Sequence, residues 1–198
     1  MKHTYIYILM FLFLISCESK APIEVKQIIS DEMVTIQANF KKKYIKDSVF
    51  ISIPTEFEIT ITSSKIREID LSYIINKKRL FAGLSDYEIY NKQNKTKPIY
   101  SLNTYLSSDK PIHIIIKERN HLISILDAKD LLNKYNINES LNNLKYGDTI
   151  KIVPYNKFRK DNVNIIYDLR KTNDSIIFNI WKGSGKGETI LVKKKINW

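Results

Sequence analysis

From Glu56 to Thr62 the chain alternates strictly: Phe57, Ile59 and Ile61 fall on one side, and Glu56, Glu58, Thr60 and Thr62 on the other. A two-residue period places successive side chains on opposite faces of an extended backbone, whereas a helix would scatter the same pattern around its circumference. The period recurs in Val34, Ile36, Ala38 and Phe40, in Val49, Ile51 and Ile53 before Pro54-Thr55 breaks the run, and in Ile69, Leu71, Tyr73 and Ile75 before a turn at Asn76-Lys77-Lys78. Each such segment can cover only one face of a core, so several must be layered. The expected fold is mainly β: an antiparallel β-sandwich-like domain, Ig-like in strand spacing only, with one or two short helices and a C-terminal β-meander. An α+β arrangement is the alternative.

Elsewhere the pattern is mixed. Between Phe81 and Asp109, Ser85-Asp86-Tyr87-Glu88 reads either as a helix-capping box or as the start of a short strand, and 91–98 reads as a polar, lysine-rich loop. Ile112–Lys117 and His121–Leu126 read as a hairpin around Glu118-Arg119-Asn120. Asp127 is the expected cap of a helix with Leu131, Leu132 and Tyr135 on its apolar side, and a second short helix is expected over 138–146, closed by Gly147. Strands are then expected around Ile150 and Ile152, along Val163, Ile165, Tyr167 and Leu169, over 175–182 and over 188–196, with Gly183-Ser184-Gly185-Lys186-Gly187 as a turn.

Ahead of this domain lies a segment of another kind. Lys2 precedes an unbroken apolar stretch from Tyr5 to Ile15, and Cys17 is the only cysteine of the chain. The stretch has the length of a signal h-region and falls short of the roughly 20 residues a spanning helix needs. Leu14-Ile15-Ser16-Cys17 resembles the lipobox of bacterial lipoproteins, in which an aliphatic residue and a small residue precede an obligatory cysteine. The resemblance covers the signal and Cys17 only. It implies cleavage before Cys17, a diacylglyceryl group on the Cys17 thiol and an acyl chain such as palmitate on the new amino terminus. Two or more chains hold a protein stably at a membrane, whereas one does so only marginally. Glu18 follows the cysteine, and the resemblance then implies the outer rather than the inner membrane of the cell envelope.

The expected organisation is therefore a signal peptide over 1–16, a lipidated N-terminus and tether over 17–30, and one β-rich domain over 31–198. Within that domain, 31–126 is sandwich-like, 127–147 a helical insert and 148–198 the meander. With Cys17 acylated, disulfides, cysteine nucleophiles and thiolate metal sites are excluded from the domain. The formal net charge of +11 suits an anionic lipid or glycolipid surface, and equally a solvated lysine surface. An envelope address and the absence of helix-turn-helix, zinc-finger or RNA-recognition patterns argue against nucleic acid as a partner.

Candidate chemistry is sparse. His113 and His121, if paired across a hairpin, could share a ligand with Glu118 between them, yet no carboxylate completes a persuasive metal trio. The glycines at 183–187 lack the Walker spacing, and no G-x-S-x-G elbow is present. Glu56 and Glu58 lie on one side of a strand, where alternation alone predicts a solvent face. Lys193-Lys194-Lys195 reads as a protected edge strand or, less simply, as a contact for anionic headgroups. Trp198 does not make a transmembrane barrel of a strand carrying three lysines. Tyr44, Tyr87, Tyr90, Tyr100, Tyr105, Tyr146 and Tyr155 fall in irregular regions, where aromatics either bind sugars and proteins or anchor loops.

Cys17, as the lipid attachment site, is thus the one assigned residue, with no catalytic, cofactor or metal residue assigned. The expected role is a membrane-anchored, non-catalytic binding or accessory module, held to the membrane by its lipid and contacting a protein or glycan of the envelope. An immunity lipoprotein that neutralises a toxin, and an envelope hydrolase with dispersed catalytic residues, are the alternatives.

Overall fold

A computed structural model describes residues 21–38, 47–82, 86–145, 147–183 and 187–198. In chain order they form β1 (Ile23–Ile28), β2 (Met33–Ala38), β3 (Ser48–Ser52), β4 (Thr55–Ile61), β5 (Ile66–Ile75), β6 (Lys78–Arg79), β7 (Tyr87–Asn91), β8 (Asn94–Ile99), β9 (Ile112–Glu118), β10 (His121–Ser124), helix α1 (Ile125–Lys134), β11 (Thr149–Pro154), helices α2 (Tyr155–Asp161) and α3 (Val163–Lys171), β12 (Ser175–Lys182) and β13 (Thr189–Lys195). The fold is mainly β and sandwich-like, as the alternation requires, with every strand pair antiparallel.

The strands make three sheets, ordered β1-β4-β9-β7-β8, β10-β3-β2-β11 and β13-β12-β5-β6. Three consecutive strand pairs change sheet at a corner. The chain leaves the second sheet for the first through Ile53-Pro54, between β3 and β4, and makes the reverse passage at Arg119-Asn120, between β9 and β10. The β1–β2 connection makes the same passage over Ile29–Glu32. Corners of this kind let one core serve more than one sheet. Here a single apolar cluster joins Phe57 and Ile114 of the first sheet, Ile36 and Ile51 of the second, and Tyr73 and Phe178 of the third.

Several expectations are corrected. Residues 23–28, assigned to the tether, form β1, whose alternation of buried Ile23 and Val25 with exposed Glu24 and Lys26 pairs it along β4. Residues 91–98 are not a loop, because Asn94–Ile99 is the edge strand β8. Of the two readings offered for Tyr87 and Glu88, the strand holds, since both lie in β7. The expected hairpin of β9 and β10 does not form, since β9 pairs with β4 and β7 while β10 pairs with β3.

Helix α1 begins one turn earlier than expected. Ser124 is its cap, accepting from the Asp127 N–H (3.0 Å) and donating to Asp127 Oδ2 (2.6 Å). The expected helix over 138–146 shrinks to a 3-10 turn at Leu141–Asn143, and Gly147 takes its positive φ of 90° in the turn into β11. Val163–Lys171 is helical: Ile166 and Leu169, three apart, are buried, while Val163 is exposed. With α2 and α3 between β11 and β12, the meander over 148–198 reduces to the β12–β13 hairpin, in which β13 with its three lysines is an edge strand. No helix among the described residues is long and apolar enough to cross a membrane.

Candidate functional site

The corners bring polar side chains inward. Glu118 ends β9 and His121 begins β10, so the β9–β10 corner carries both into the interior, where Glu118 is 0 % and His121 8 % exposed. Asp174, just before β12, meets them from the third sheet and is also 0 % exposed. His121 Nε2 lies 3.2 Å from Asp174 Oδ2 and 3.6 Å from Glu118 Oε1. Neither contact has the alignment of a hydrogen bond, so the three are held together by charge.

Asp174 is the hub of this cluster. Trp198 Nε1–H donates to Oδ2 (3.1 Å), Thr172 Oγ1 sits 2.8 Å from the same oxygen, and the Asn76 N–H donates to Oδ1 (3.3 Å). The Trp198 ring meets His121 edge-on with centroids 5.4 Å apart, and its main-chain oxygen accepts from Arg170 Nε (2.8 Å) and Arg159 Nη2 (3.3 Å). Asn120 N–H donates to Glu118 Oε2 (2.7 Å). The hydroxyls of Thr55, Tyr73 and Tyr155 and Glu118 Oε1 are buried without a hydrogen-bond partner among the described residues.

Burial dominates the electrostatics, and its effect differs for each member. It holds Glu118 above the usual carboxylate range, against the pull of His121. Burial alone would depress His121, but Glu118 and Asp174 outweigh it and hold the imidazole above its ordinary value. Burial would likewise raise Asp174, yet His121, Thr172 and the Asn76 N–H keep it low. Tyr73 is pushed well up by burial and then by the charges of Glu118 and Asp174. A histidine oriented by a carboxylate is the unit of general-base catalysis. Here, however, the atom that would accept a proton is the one facing both acids, inside the wall of the fold. The arrangement acts as a latch between β10, β12 and the segment ending in Trp198.

A second cluster covers the outer side of the first sheet. Glu56 stands where alternation puts it, but the β1–β2 connection folds over it and leaves it 1 % exposed, correcting the expected solvent face. Ser30 Oγ donates to Glu56 Oε2 (3.1 Å), and Lys92 Nζ donates to Oε1 (2.8 Å) and reaches Asp31 Oδ1 at 3.3 Å. The Glu56 carboxylate holds Lys92 above its ordinary value. His113 lies across from Glu58, with Nε2 3.5 Å from Glu58 Oε2. Buried Glu88 pairs with Arg119 and accepts from Tyr90 OH (2.9 Å); burial and that carboxylate push the phenol up to about 12. His113 and His121, a candidate pair from sequence, are thus on different sheets with different acids. No group of three or more His, Cys, Asp or Glu among the described residues is arranged to hold a metal ion.

A groove of about 450 Å³ separates α1 from the α2–α3 junction, lined by Asp127, Asp130 and Asp161. Its polar floor is internally bonded: Lys134 Nζ donates to Asn162 Oδ1 (2.9 Å), Asn162 Nδ2 to Tyr135 OH (2.8 Å) and Tyr135 OH to Asp161 Oδ2 (3.1 Å).

Of the loop tyrosines, Tyr87 and Tyr155 are core, Tyr90 and Tyr105 half-buried and Tyr100 exposed. Tyr44, Tyr146 and the assigned Cys17 with its Leu14-Ile15-Ser16 lie outside the described residues. Sequence reasoning missed Asp174 altogether, since no spacing links it to Glu118 and His121. It placed Glu118 in a turn, although an ionisable residue closing an isoleucine run was a signal for an inward-facing acid. No family model, no curated protein and no solved structure matches this chain.

Proposed function

We propose that this chain is a lipid-anchored envelope protein whose β domain binds a protein or glycan of the envelope without transforming it. Leu14-Ile15-Ser16-Cys17 behind a short apolar run carries the proposal. The start of β1 at Ile23 supports it, because residues 18–22 cannot span more than about 20 Å and would keep the domain close to the bilayer. The pairing of Glu56 with Lys92, Glu88 with Arg119 and Asp174 with His121 supports a binding role, since these ionisable groups are engaged in holding strands together.

Labelling cells with an alkyne fatty acid tests the anchor. The parent chain takes up label and partitions with membranes, and Cys17→Ser abolishes both; an unlabelled parent, or label retained by Cys17→Ser, refutes it. Crosslinking the anchored protein in cells, followed by identification of what it holds, tests binding. Turnover of a wall or lipid substrate by the purified protein, with no crosslinked partner, would overturn the non-catalytic reading.

A further inference from the structure

Three segments distant in sequence meet at one end of the domain. The chain arrives through Ala21-Pro22, and both carbonyls are taken by Thr62 just after β4: Oγ1 donates to Ala21 O (2.6 Å) and the N–H to Pro22 O (3.0 Å). The same turn binds the tip of the β12–β13 hairpin, where the Gly183 N–H donates to Lys65 O (3.1 Å). The point where any lipid tether must join the domain is therefore beside that hairpin tip. The buried latch at Asp174 lies at the other end of β12, roughly 25 Å away at the rise of an extended chain.

The surface at the tether end has the composition of an interfacial contact. Trp181 stands on the outer face of the third sheet, partly exposed, with Leu191 on the neighbouring strand one diagonal position away and 65 % exposed. Exposed Lys193 follows Leu191 on that face, and exposed Lys65 and Arg67 and half-buried Lys182 lie at the same end of the sheet. Glu68, Asp70 and Glu188 stand among them, so basic groups at this end exceed acidic ones by one, four to three. Tryptophan settles at the headgroup level of a bilayer, and basic side chains near it gain from anionic headgroups.

We propose that this end of the domain, with Trp181 and Leu191 at its centre, docks on an anionic phospholipid surface. The proposal rests on the lipid-anchor reading and adds an orientation to it: the β12–β13 hairpin lies against the membrane and the latch end points away.

The test uses the full lipidated chain reconstituted in phosphatidylcholine vesicles with and without phosphatidylglycerol. Flotation reads the anchor, and quenching of tryptophan emission by lipids brominated near the headgroup reads docking. The chain has two tryptophans, and Trp198 is buried, so Trp181→Phe removes the reporter at the docking surface. Expected results are flotation in both vesicle types, stronger quenching with phosphatidylglycerol, and loss of quenching in Trp181→Phe. Lys65→Ser, Lys182→Ser and Lys193→Ser should each lower the docked-to-free ratio about fivefold while flotation persists. A protein that floats but is not quenched overturns docking and leaves the anchor standing; that surface would then be free for a protein partner. Quenching that survives in Trp181→Phe overturns the orientation. A protein that fails to float overturns the anchor and, with it, the docking that rests on it.

Discussion

Asp174→Asn should be among the most damaging isosteric changes this domain can receive. The carboxylate is 0 % exposed and accepts on both oxygens, from Trp198 Nε1–H on one side and the Asn76 N–H on the other, while facing His121. An amide has the same shape but one donor end. Whichever way it turns, its NH₂ meets either the indole N–H or the main-chain N–H, and His121 loses the nearer of its two counter-charges. Breaking a buried pair by removing one partner costs about 3–5 kcal/mol. A chain of this size loses about 2–4 °C of Tm per kcal/mol, which predicts a fall of about 6–20 °C. Thermal unfolding followed by tryptophan emission would record it, since Trp198 packs on the cluster. A fall of less than about 3 °C in Asp174→Asn would refute the assignment of a charged latch.

The latch also sets a pH profile. Asp174 is held low, so its contribution is complete above its ordinary 3.8 and is lost as pH falls through the depressed value. His121 and Glu118 are held high, so their contributions are complete below 6.5 and 4.5 and are lost as pH rises through the elevated values. Urea midpoints should therefore peak on the mildly acid side and decline towards alkaline pH; a flat profile from about pH 4 to about pH 8 would count against the cluster. At the β5–β6 hairpin, Asn76 and Lys77 carry φ of 44° and 68°, so Lys77→Gly should stabilise the domain by about 1 kcal/mol in urea unfolding. Glu88→Gln should bring the Tyr90 phenol down from about 12, visible as an earlier step in an ultraviolet titration; no movement would mean that burial alone sets it.

Strands were legible where alternation and burial agree, as in Phe57, Ile59 and Ile61 of β4 or Ile69, Leu71 and Tyr73 of β5. The helix at 163–171 was not, because Val163, Ile165, Tyr167 and Leu169 satisfy a two-residue period while Ile166 and Leu169 satisfy a helical one. Packing chose the second, burying Ile166 beside Leu169 and leaving Val163 and Tyr167 outside. Residues 23–28 read as a spacer because the stretch around them is polar, contains Pro22 and sustains no period beyond Ile23 and Val25. The sheet face of Glu56 was right, but no local pattern reveals that Ser30 and Asp31 will fold over it. The latch joins residues from four parts of the chain, and only the corner geometry brings them together. The assignment of Cys17 lies outside the described residues and stands on the sequence motif alone.

The third sheet has a consequence for the order in which the domain can close. β5 is paired along its length with β12, about a hundred residues later, and with little else except the two-residue β6. Contacts at such separation form late and slowly. Until Ser175–Lys182 has emerged, the buried side of β5, from Ile66 to Tyr73, has no sheet to join. In a chain that emerged amino-terminus first, the first sheet, whose strands all lie within 23–118, could close while β5 still lacked its partner. The third sheet would then be the last of the layers to be completed around β5, since its central pairing spans about a hundred residues.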